Sequence, residues 1–136
     1  MVLPIVTSRV LLRQPSTEAS RNDAPIARDL LDTASAHADV CVGMAANMIG
    51  SSKRIIVAFS GSAWMLMYNP RIIQKSMPYQ AVEGCLSLQG THSATRYRRI
   101  KVSYLDQSFH PHTMEFRGKL AQIIQHEVDH CNGVLI

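Results

Sequence analysis

The chain has 136 residues, 46% of them hydrophobic and 18% charged, with a formal net charge of +4. That length suits one domain with its own core, expected over residues 1–136. The balance excludes a disordered chain, and no apolar run reaches the roughly 18 residues that a membrane span needs.

Residues 2–12 are apolar and read as an extended arm, followed by a polar loop over residues 14–22. Residues 24–38 read as a helix, because Ile26, Leu30, Leu31 and Ala34 share a face and Asp23 with Pro25 mark a start. The small residues of Val42-Gly43-Met44-Ala45-Ala46 lead to Gly50. Strands are predicted over residues 54–59 and 64–68, the second stopped by Asn69-Pro70, with residues 71–75 continuing the sheet. A short apolar piece spans residues 82–88, and a hairpin over residues 98–106 and 113–116 turns at His110-Pro111. The cluster Arg96, Arg98, Arg99 and Lys101 is predicted to be the solvated face of that strand rather than a nucleic-acid surface, since it alternates with Ile100, Val102 and Tyr104. From residue 117 to 131, Leu120, Ile123, Ile124 and Val128 form the stripe of a helix that Asn132-Gly133 ends. The fold class is therefore α+β, with small antiparallel sheets packed around a C-terminal helix.

That helix carries His126-Glu127-Val128-Asp129-His130. Histidines four apart stand one turn apart on one face, where both imidazoles can reach one metal ion. Glu127 then lies beside the ion, placed to take a proton from water that the ion acidifies. A third ligand is needed. Cys131 follows His130 and points about 100° away around a helix, which makes it packing. Cys41 reads as a small buried residue. Cys85, within Glu83-Gly84-Cys85-Leu86-Ser87, leads only modestly over the remaining histidines and carboxylates. Three cysteines without a basic, apolar and small-residue leader argue against disulfides and secretion, so the cytoplasm is the expected location.

Three segments together resemble the peptide deformylase family. Val42-Gly43-Met44-Ala45-Ala46 with Ile49-Gly50 is similar to its glycine-and-alanine motif. Glu83-Gly84-Cys85-Leu86-Ser87 matches EGCLS without a change, and Gln125 to His130 with Asn132-Gly133-Val134-Leu135 matches QHExDH and its NGVL tail. The resemblance implies a hydrolase that removes the N-formyl group from formyl-methionine on nascent polypeptides. It implies one divalent metal on Cys85, His126 and His130, ferrous iron in cells, with zinc, nickel or cobalt in purified protein. Glu127 would be the general acid and base, and the Leu86 N–H would bind the formyl oxygen. Gly43, Leu86 and Ile123 are expected to contact substrate, Ile123 as a wall for the methionine side chain. The partners expected are formylated nascent peptides at the ribosome, with no specific nucleic acid and no membrane, and the protein is expected to be a monomer.

Three positions depart from the first motif. Cys41 stands for its first glycine, Asn47 for its proline, and Met48 for the glutamine whose amide donates to the developing oxyanion. Methionine has no N–H to offer, and losing one such donor costs on the order of 10²–10³ in rate elsewhere. The sequence also stops soon after the NGVL segment, where many relatives continue into a tail that aids ribosome contact. Besides an active deformylase, these departures leave a deformylase-like metal-binding protein with weak or no activity, binding peptides or using another amide. A metallopeptidase sharing only the HExxH pattern is a third, unrelated class.

Overall fold

The computed structural model describes residues 1–135 of the chain; Ile136, the last residue of the expected single unit, lies outside them. Helix α1 (Arg9–Leu12) is followed by α2 (Ala24–Ala36), and five strands, β1 (Gly43–Ala45), β2 (Ile55–Phe59), β3 (Trp64–Cys85), β4 (Leu88–Leu105) and β5 (Pro111–Arg117), precede the final helix α3 (Gly118–Cys131). The strands form one antiparallel sheet in the order β1-β2-β3-β4-β5, not several small ones.

The expectation that Asn69-Pro70 stops a strand is corrected. β3 runs through it for 22 residues. Asn69 takes a φ of +52° inside a register shift between Tyr68 and Arg71. Asparagine tolerates that region, and at a bulge the missing N–H of Pro70 breaks no ladder bond. The Asn69 side chain then ties the bulge to the N-terminal segment, accepting from the Ala19 N–H at 2.7 Å and donating to the Ala19 carbonyl at 3.0 Å. The arm is also not extended throughout. Ser8 caps α1 by accepting from the Leu11 N–H, and Leu12 is fully buried. Before α1, the Val6 N–H donates to the Met48 carbonyl at 2.8 Å, pinning the 3₁₀ turn Ala46–Ile49.

α2 starts where the Asp-Pro signal places it, and Ala27, Leu30 and Ala34 enter the core. α3 ends in a Schellman motif: the Val134 N–H bonds the Asp129 carbonyl at 2.9 Å and the Gly133 N–H bonds that of His130 at 3.1 Å. Ala121, Ile123, Ile124 and Val128 pack α3 against the sheet, where Ile55, Met67 and Ile100 form the other side of the core. Gly43 makes the closest approach. A Cβ there would sit 2.7 Å from both Glu127 Oε2 and Ile123 Cγ2, so only glycine lets β1 lie this near α3.

Candidate metal centre

The end of β3 and helix α3 meet at one point. Cys85 is the last residue of β3, before the two-residue turn Leu86-Ser87 into β4. Its Sγ lies 3.3 Å from His130 Nε2, and His130 Nε2 lies 3.2 Å from His126 Nε2. Their ligand atoms all fall within 4.8 Å of one another. Two imidazole nitrogens that close share one proton at most, or one cation. A thiol sulfur with two imidazoles is a donor set that fits a divalent transition metal. Cys85 and His126 also line a cleft of about 200 Å³, so the meeting point opens on it.

The ring of His126 is held from behind. Its Nδ1 is 2.9 Å from Glu83 Oε1. Glu83 in turn receives Arg96 through two bonds, Nη2 to Oε1 at 2.7 Å and Nε to Oε2 at 2.9 Å, and Gln122 Nε2 at 2.9 Å. Arg96 reaches on to Asp129 of α3 with Nη1 at 2.6 Å from Oδ2. Burial alone would push Glu83 up, but its bonds to His126, Arg96 and Gln122 outweigh that and hold the carboxyl well below its usual range. Burial would lower the pKa of His126, yet the bonds to Cys85 and Glu83 raise it to about 10. His130 is pushed down to about 3 by burial and by neighbouring His126 and Arg96. The Glu127 carboxyl is buried and pushed up to about 7, chiefly by desolvation, and its Oε1 has no hydrogen-bond partner. The group is thus a carboxyl that can hold a proton near neutrality.

Arg96 corrects the sequence reading: it is 4% exposed rather than on a solvated face. It lies in phase with Ile100, Val102 and Tyr104, all buried, but exposed Arg98 shares that phase, so the period alone does not place Arg96; its partners Glu83 and Asp129 do. Arg98 is exposed as expected, its guanidinium 4.7 Å from the Tyr79 ring centre. Glu83, Gln122 and Asp129 received no role from the sequence. The other expected site residues converge on the cleft: Gly43, Met48, Leu86, Ile123 and Glu127 all line it. Met48 is 1% exposed, and its sulfur accepts from the Ala45 N–H at 3.5 Å. Of the other cysteines, Cys131 is buried with its thiol pushed up to about 12 by desolvation. Cys41 donates to the Gly43 carbonyl at 2.9 Å, and burial pushes it up to about 11.

A family model for polypeptide deformylase matches residues 3–136. The chain belongs to the peptide deformylase family. It is 47% identical over 136 residues to a peptide deformylase of Clostridium beijerinckii, covering 100% of both chains. It is 34% identical over 123 residues to one of Thermoanaerobacter pseudethanolicus, covering 90% of this chain and 76% of that one. Among solved structures, the Met-Ala-Ser-bound class I type b peptide deformylase of Acinetobacter baumannii superposes with a TM-score of 0.90 at 30% identity, over 99% of this chain and 97% of that one. Deformylases are metal-dependent hydrolases, and this one removes the N-formyl group from nascent polypeptides using one divalent ion.

Proposed function

We propose that Cys85, His126 and His130 hold that ion and that Glu127 moves the proton in the reaction. The observation that carries this is the convergence of one sulfur and two Nε2 atoms beside a buried carboxyl with a free oxygen. Bound there, a divalent ion supplies Lewis acidity to a water and to the formyl oxygen. Glu127 accepts the proton of the attacking water and passes it to the leaving amine as the carbon–nitrogen bond breaks, giving formate and a free N-terminus. The Leu86 N–H, in the turn after Cys85, faces the developing oxyanion. Met48 leaves that oxyanion one donor short, so turnover is slower than the motif glutamine would allow. Gly43 and Ile123 line the cleft, where Gly43 meets the substrate backbone and Ile123 walls the methionine side chain.

The ion is ferrous iron in cells, and zinc, nickel or cobalt takes its place in purified protein, since a thiolate and two imidazoles suit each of them. The protein acts as a cytoplasmic monomer, one unit over residues 1–136, on chains emerging from the ribosome. A net charge of +4 favours such a surface, and among the described residues no helix is long and apolar enough to cross a membrane. The Acinetobacter relative is bound to Met-Ala-Ser, which supports formyl-Met-Ala-Ser as the test substrate. Ferrous- or nickel-loaded protein is expected to release formate from it. No release above buffer, with one metal per chain confirmed, would instead favour a deformylase-like metal-binding protein.

A further inference from the structure

The two candidate histidine ligands are supported unequally. His126 has Glu83 on its Nδ1, whereas the buried Nδ1 of His130 has no hydrogen-bond partner. His130 turns its Nε2 toward Cys85 and His126. An imidazole that ligates through Nε2 carries its proton on Nδ1, and that N–H needs an acceptor. The side chain that touches the His130 backbone carries an acceptor. Asn47, 4% exposed, donates its Nδ2 to the His130 carbonyl at 2.9 Å, while its own Oδ1 is buried without a partner. The bond to the carbonyl fixes which way the amide faces, because the flipped form would set oxygen against oxygen. One residue pair thus holds a buried donor in want of an acceptor and a buried acceptor in want of a donor.

We propose that Asn47 is a positioning residue for His130: its Oδ1 accepts the His130 Nδ1 proton through one bridging water, doing for this ring what Glu83 does for His126. Buried waters serve pairs of otherwise unsatisfied polar groups in this way. Resting on the assignment of His130 as a ligand, this adds a fourth anchor to the site, carried by the 3₁₀ turn Ala46–Ile49 that also holds Met48.

The test uses the full chain loaded with zinc, with ¹⁵N-labelled histidine. His130 is expected to show a metal-shifted Nε2 and a slowly exchanging Nδ1 proton. A ligated Nε2 with an Nδ1 proton exchanging as fast as that of an exposed histidine would overturn the proposal while leaving the ligand assignment intact; an unshifted Nε2 would instead remove the assignment on which it rests. Zinc affinity by chelator competition, with the same histidine exchange measurement, separates acceptor from scaffold. Asn47→Ala removes the acceptor and should bind zinc about tenfold more weakly, with a His130 Nδ1 proton that exchanges fast. Unchanged affinity, or an Nδ1 proton that stays slow to exchange in Asn47→Ala, would contradict the role.

Discussion

The two halves of the β3–β4 hairpin are built from similar residues and do different work. Near its tip, under α3, the strands deliver Glu83, Cys85 and Arg96 into a dry polar cluster. Beside that cluster on the same strands, a similar mixture of basic and aromatic side chains stays outside it. Lys75 and Arg98 are exposed there, Lys75 Nζ 4.8 Å from the ring centre of half-buried Tyr97 and Arg98 over Tyr79, the strand partner of Arg96. Residue type does not decide which half becomes a site. Cover by α3 does, because removing water strengthens each charge pair and makes any broken pair costly.

Arg96 and Arg98, two positions apart on one strand, sharpen that contrast. Arg96→Met leaves Glu83 buried without its main counter-charge and is expected to cost about 3–5 kcal/mol in urea unfolding. Arg98→Met, at the surface, is expected to stay within about 0.5 kcal/mol of the parent. Equal losses would show that the cover of α3 makes no difference.

Across the cleft from that cluster, on the 3₁₀ turn Ala46–Ile49, the first motif departs from its family, and Met48→Gln tests that departure. The new amide should raise kcat/KM for formyl-Met-Ala-Ser about tenfold, a part of the 10²–10³ that one oxyanion donor is worth. A folded variant with an unchanged rate would clear Met48 of any defect.

The smallest effect belongs to the uncovered turn between β4 and β5. Asp106 is held down to about 2 by its bond to His112 and by the N–H groups of His110 and Ser108. A carboxyl depressed in the folded state stabilises above its ordinary value, about 3.8, and loses that contribution as pH falls toward 2. Asp106→Asn should therefore flatten the fall in Tm between pH 5 and pH 2. An unchanged slope would mean that the turn contributes nothing to acid sensitivity.

The same contrast separates what could be read in the sequence from what could not. His126 and His130 were legible because helical spacing alone places them together, and the end of α3 because Asn132-Gly133 encodes a local cap. Cys85 was legible from its motif but not from its chemistry, since its partners lie 41 and 45 positions later on another element. Asn69-Pro70 misled because a turn signal and a bulge signal use the same residues; the bonds to Ala19 that decide between them are tertiary. Arg96 was misread because a charged side chain in phase with Ile100 and Val102 makes sense only once Glu83 and Asp129 are known to face it. The short helix α1 rests on one serine cap and the burial of Leu12, too little pattern to announce itself.

X-ray absorption on the zinc-loaded protein tests the central claim most directly. One sulfur at about 2.3 Å and two imidazole nitrogens at about 2.0–2.1 Å are expected around the ion, with the sulfur lost in Cys85→Ser. A first shell of nitrogen and oxygen alone in the parent protein would contradict the metal centre described above.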